Sequence, residues 1–227
     1  MNFAELYERF SLPVSAVNCG ERCAPHNDRG VPFCCDTAHA VPSVYAEEWA
    51  YLQANTDLWR PWKGRTRAET DDLRRQAPDG QVLVACLGHQ HCRRSFRSLT
   101  CRAFPFFPYI SRAGEFLGLS YYWEYEDRCW VISNLALVEP GFRSQFIAAF
   151  EALFAEQPQE LENFRQFSSL MRRVFGRRKR AIPLLHRNGG AYKVTPRNGR
   201  LRRLPVERLP KFGPYKLAAE LPFPDEL

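Results

Sequence analysis

The sequence predicts an α+β fold: a small antiparallel sheet surrounded by helices, with a helical pair and a hairpin appended. Three observations lead there. Apolar residues recur at helical spacing over 141–156 and again over 159–175, with Pro158 between the two runs. Short apolar or aromatic runs bounded by turn residues recur at 81–87, 115–125, 128–135 and 191–204. All eight cysteines lie within the first 129 residues, most of them in loop composition.

Residues 2–10 place Phe3, Leu6, Tyr7 and Phe10 on one side of a short helix. From Ser11 to Val41 the chain is rich in Pro, Gly, Asn and Asp, a loop long enough to need something that holds it. A helix is expected over Val44–Ala54, capped by Ser43 and with Glu47 and Glu48 in its first turns. The aromatic stretch Asn55–Gly64 reads as irregular, and Thr66–Gln76 as a charged helix ended by Ala77-Pro78-Asp79-Gly80. Gln81–Leu87 reads as a strand that delivers Cys86 to its end, whereas Cys101–Tyr109 is too broken by proline for a regular element. Glu115–Tyr125 and Arg128–Leu135 are expected to pair as antiparallel strands turning at Glu126-Asp127.

Helices over Gly141–Glu156 and Gln159–Phe175 follow. Ala191–Thr195 and Arg200–Leu204 then form a hairpin around Pro196-Arg-Asn-Gly199, and the last twenty residues are expected to pack as an extended strap. The organisation expected is a cysteine-bearing part, 1–139, with the helical pair, basic hairpin and strap of 140–227 packed on it.

The N-terminus, MNFAELYERF, carries neither a basic leader nor an apolar run, and no stretch reaches ~18 consecutive apolar residues. A cytoplasmic protein is expected, without membrane insertion. In that compartment thiols stay reduced, which favours metal binding over a disulfide framework. Net charge is +7, carried mainly by Arg. The run Arg172-Arg173 and Arg177-Arg178-Lys179-Arg180, with Arg187, Arg197, Arg200, Arg202 and Arg203 beyond it, offers a basic face to a nucleic acid or an acidic protein. Cations at a helix C-terminus account for part of that run without any ligand, and aromatic interleaving for base stacking is thin.

The cysteines are spaced as Cys19-x3-Cys23, ten residues to Cys34-Cys35, then Cys86-x5-Cys92-x8-Cys101, then Cys129. Thiolates suit zinc and iron–sulfur clusters, and each such centre takes four donors. Eight donors are enough for two four-thiolate sites. Adjacent side chains diverge, so Cys34 and Cys35 imply either one ligand with a buried neighbour or two centres side by side. For each cysteine the plain alternative is a small buried hydrophobe. His89 and His91 sit between Cys86 and Cys92, and at most one of them can face a metal shared with the cysteines. His26 and His39 lie beside the first cysteines, and His186 reads as a surface residue.

The cysteine-rich opening, the hexapeptide Cys101-Arg102-Ala103-Phe104-Pro105-Phe106 and the late Cys129 resemble the YkgJ/FliB-like "CxxCxxCC" cysteine-cluster family. That family is described as zinc- or iron-chelating and includes a flagellin lysine N-methylase. The resemblance covers residues 19–135, although here Ala24–Phe33 separates the second cysteine from the adjacent pair. It implies a centre formed by Cys19, Cys23, Cys34, Cys35, Cys101, Cys86 and Cys129. Cys92 completes the donor set, and the expected fold wraps this zinc or iron–sulfur centre.

No Gly-rich phosphate loop, His-Glu-x-x-His or Gly-x-Ser-x-Gly occurs, and a radical-SAM triplet lacks its third cysteine. Two readings remain. One is a metal or iron–sulfur protein in a redox or protein-modifying role; the other is a zinc-stabilised binding module that uses the basic C-terminal face.

Overall fold

A computed structural model describes residues 1–78 and 80–216 and has two antiparallel sheets with eight helices in an α+β arrangement. In chain order the elements are α1 (Phe3–Arg9), α2 (Cys19–Cys23), β1 (Ser43–Tyr45), α3 (Ala46–Asn55), β2 (Trp59–Pro61), α4 (Arg67–Gln76), β3 (Gln81–Cys86), α5 (Leu99–Ala103), β4 (Phe106–Ile110), β5 (Phe116–Tyr121), α6 (Trp130–Ser133), α7 (Pro140–Glu156), α8 (Pro158–Arg177), β6 (Ile182–His186), β7 (Ala191–Val194) and β8 (Leu201–Leu204). The smaller sheet has the order β1-β3-β2, and the larger runs β4-β5-β6-β7-β8. None of the described helices is long and apolar enough to cross a membrane.

The helices α7 and α8 form where the 3.6-residue pattern places them. Phe142, Phe146, Phe150 and Phe154 stack down α7 with successive ring centroids 6.1, 4.5 and 6.1 Å apart. Phe164 of α8 packs edge-on against Phe150 at 5.5 Å, and Phe167 meets Phe107 of β4 at 4.6 Å. The N-terminal helix joins the same core, with Phe10 5.4 Å from Phe142. The expected hairpin is β7–β8, in which Tyr192 pairs with Arg203 and Lys193 with Arg202.

Four expectations are corrected. First, the proline-broken segment is regular: Ser98 caps α5 by accepting the Cys101 N–H at 3.2 Å, and β4 follows with every residue buried. Pro108 is tolerated because β4 is an edge strand. That edge is closed by α8, since the Ile110 N–H donates to Ser168 Oγ at 2.9 Å and Arg172 donates to the Ile110 carbonyl at 2.9 Å.

Second, residues 128–135 do not form a strand. They hold α6 and the start of a further helical turn at Leu135–Leu137; the short apolar run Trp130–Ile132 carries no period that separates strand from helix. Third, β5 instead pairs with β4 and with β6, a strand not expected from the sequence. Gly118 of β5 has φ +144, and a Cβ there would stand 2.2 Å from the Leu185 carbonyl, so only glycine permits this approach of β6. Fourth, α3 begins later than expected. Residues 43–45 are strand, and the Tyr45 N–H donates to Glu48 Oε2 at 3.3 Å. The C-terminal strap lies largely outside the described residues; within them, Phe212 and Tyr215 are buried.

Candidate metal centre

The segment 11–41 is held first by polar contacts. Asp36, with its side chain 2% exposed, accepts from Arg29 at 2.9 Å, from the Ala38 N–H at 3.0 Å and from Asn27 at 3.3 Å. This hub folds the loop back so that its cysteines face the core.

Each cysteine is delivered by a short element. Cys19 and Cys23 stand one turn apart on α2, capped by Asn18, which accepts the Gly20 N–H at 3.2 Å. Cys34 and Cys35 end the turn Phe33–Cys35, with their sulfurs 4.0 Å apart. Cys86 ends β3, Cys101 lies within α5, and Cys129 immediately precedes α6. Cys92 follows the turn His89–His91, is exposed, and accepts from Arg97 Nε at 3.0 Å. All eight are free thiols, with none paired as cystine.

Several of them lie near enough to act on one another's ionisation. Cys129 feels Cys19 and Cys23, while Cys34 feels Cys129 and Cys19. Cys86 feels Cys35 and Cys92, while Cys101 feels Cys35 and Cys86. Cys35 acts on Cys19, Cys23, Cys34, Cys86 and Cys101 alike, so these interactions run across the set and do not divide it.

Burial and crowding work against the thiolates. Burial pushes Cys23 up to about 11 and Cys101 up to about 12, with the charges of neighbouring cysteines adding to the shift. Burial likewise raises Cys19, Cys86 and Cys129. The adjacent pair shares a proton: a hydrogen bond from Cys34 lowers Cys35 to about 7, while Cys34 is raised well above the usual thiol range. Arg97 is the main counter-charge, lowering Cys35, Cys19 and Cys101.

Three groups that the sequence reading passed over build the wall beside Cys101. Arg102 is 6% exposed and points all five of its N–H bonds at backbone carbonyls: Arg97 at 2.8 Å, Tyr7 at 3.2 Å, Phe10 at 2.6 Å, Arg94 at 3.1 Å and Ser95 at 2.7 Å. Its guanidinium lies 4.1 Å from the Tyr7 ring centroid. Fully buried Glu48 accepts from Tyr7 Oη and from the Leu99 N–H, both at 2.5 Å, and so ties α1 and α3 to the start of α5. Burial lifts Glu48 to about 7. The hexapeptide that carries the family resemblance contained one signal, Arg102. Glu48 reads from the sequence only as a first-turn acid of its helix, and nothing in the sequence singles out Arg97.

Among the described residues no three His, Cys, Asp or Glu side chains converge on a point that would hold a single ion. The histidines stand apart from the thiols in kind: His89 and His91 are exposed, His26 rests on Tyr215, His39 on Phe33, and His186 on Tyr192. Carboxylates elsewhere are engaged in ion pairs: Asp72 pairs with Arg75, and Glu126 anchors Arg180 at 2.7 Å. No family model, curated protein or solved structure matches the chain.

Proposed function

We propose that the chain is an iron–sulfur protein of the cytoplasm, with its eight thiols as the ligands of two adjacent clusters. The observation that carries this reading is the gathering of eight cysteines from six separate segments into one neighbourhood. Chance burial of small hydrophobes does not bring every thiol of a chain together, and partly buried free thiols crowded among like charges gain by losing protons to a cationic centre.

The number of thiols carries the choice of two centres: eight cysteines supply the four thiolates that each of two clusters takes. Cys19, Cys23, Cys34 and Cys129 would hold one cluster and Cys35, Cys86, Cys92 and Cys101 the other; the resemblance to the cysteine-cluster family supports all of these donors except Cys92. When bound, such a cluster supplies one-electron transfer. Arg97 and Arg94 temper the anionic charge beside it, and Arg102 fixes the 94–97 segment that carries both. A redox role of this kind requires a partner protein for electron exchange, and modification of a protein side chain is the enzymatic form of the reading.

The test is anaerobic purification followed by iron and acid-labile sulfide analysis and a visible spectrum. About eight iron atoms per chain, with a brown colour bleached by dithionite, is the expected result for two four-iron clusters. A colourless protein with stoichiometric zinc would overturn it, leave the centre structural, and move function to the basic face.

A further inference from the structure

Away from the cysteines, the exposed side of α8, the β4–β5 loop and the β7–β8 turn enclose an open groove of about 640 Å³. Six arginines line it: Arg112, Arg165, Arg172, Arg173, Arg177 and Arg197. Arg165 is neutralised by Glu162 at 2.5 Å. Among the described residues the other five have no carboxylate partner.

Two of the five are held rigidly. Arg172, 8% exposed, donates to Tyr109 Oη at 3.3 Å and to the Ile110 carbonyl, so its charge sits at the groove floor without a counter-ion. Arg112 donates to the Pro196 and Arg197 carbonyls at 3.2 and 2.6 Å, which fixes the β7–β8 turn against the β4–β5 loop. The exposed Arg173, Arg177 and Arg197 side chains make no contact within the described chain. An array of unneutralised guanidinium groups, anchored at two points and free at three, is built for an anion that comes from outside.

The remaining lining selects among anions. Gln166, Ser169, Gly176 and Pro196 complete it, without an aromatic ring on which a base could stack and without an apolar pocket for a peptide anchor. The groove is open rather than enclosed, unlike sites that bury most of a small ligand. From Arg165 to Arg177 the helix advances ~18 Å, the span of about five successive phosphates on one strand of a duplex. From this geometry we infer that the groove binds the phosphate backbone of double-stranded nucleic acid, without base readout. This goes beyond the proposed cluster chemistry and does not depend on it.

Fluorescence anisotropy with a labelled duplex of about 20 base pairs, beginning at about 50 mM salt, tests this on the protein as purified. Two double variants each remove two positive charges. Arg173→Ala with Arg177→Ala strips the groove; Arg60→Ala with Lys63→Ala strips exposed cations beside the smaller sheet. The groove variant is expected to lose at least about tenfold in affinity and to lower the log–log salt slope by about 1.8, with the control close to wild type. Circular dichroism of both variants confirms folding, since both exposed sites on α8 accept Ala. Failure of wild type to bind at the lowest salt, equal loss in the two variants, or displacement of the duplex by polyglutamate at equal charge would each overturn the proposal.

Discussion

Replacing Arg102 by Ala should be among the most damaging single changes in the chain, and the structure allows the cost to be estimated. The side chain satisfies five carbonyls, of which those of Tyr7 and Phe10 are buried and those of Arg94, Ser95 and Arg97 are partly buried. A buried acceptor left without a donor costs about 1–3 kcal/mol, while the partly buried carbonyls can turn to water and cost less. Loss of the cation over the Tyr7 ring adds about 1 kcal/mol. With non-additivity allowed for, the variant should lose about 4–6 kcal/mol, a large share of ordinary domain stability. For a chain of this size that lowers Tm by about 10–20 °C. Arg102→Lys keeps the charge but presents three donors from a single point, so it should recover less than half of the loss. Urea unfolding followed by tryptophan fluorescence measures all three proteins. If Arg102→Ala unfolds within about 1 kcal/mol of wild type, the five-carbonyl clamp does not hold the fold as reasoned here.

Other expectations are independent of that one. Because burial raises Glu48 to about 7, the fold prefers the protonated acid: its contribution is whole below the unfolded value near 4.5 and lost as pH rises through 7, about 3 kcal/mol in all. Urea midpoints should therefore fall between pH 5 and pH 8 in wild type and stay flatter in Glu48→Gln; parallel profiles would contradict it. Under the two-cluster reading, Cys101→Ser and Cys129→Ser should each remove about half of the bound iron and the double variant all of it, by iron analysis of anaerobic protein. Complete loss in either single variant would point to one shared centre.

The legible parts of the fold were those with a clean period. The helices α7 and α8 show apolar stripes, and β7–β8 is announced by its Asn198-Gly199 turn. The errors arose where tertiary context overrides the local pattern. Residues 130–132 form an apolar run too short to show a period, and both edges of β5 are occupied by β4 and β6, which leaves no place for them in the sheet. Pro105 and Pro108 look like breakers until β4 is known to lie at an edge under α8. In the site, the spacing alone did not announce which thiols approach one another: Cys34 interacts with Cys129, 95 positions away, while its neighbour Cys35 interacts with Cys86 and Cys101 as well as with Cys19 and Cys23.

Under the two-cluster reading the adjacent pair has a reason to exist. Cys34 and Cys35 end one turn with their sulfurs 4.0 Å apart, so one segment would give a ligand to each of two abutting clusters. A single cysteine at this point would leave one of those clusters with three donors. A wider gap between the two would need further ordered loop in a segment already dependent on the Asp36 hub. The turn Phe33–Cys35 is fixed on one side by buried Phe33 against His39, which leaves the sulfurs as the groups free to face the core. Seen this way, the loop composition of 11–41 is a requirement of the site. One continuous helix or strand would carry Cys19, Cys23, Cys34 and Cys35 along a single axis, whereas the irregular path brings four thiols from 17 residues near enough to act on one another's ionisation.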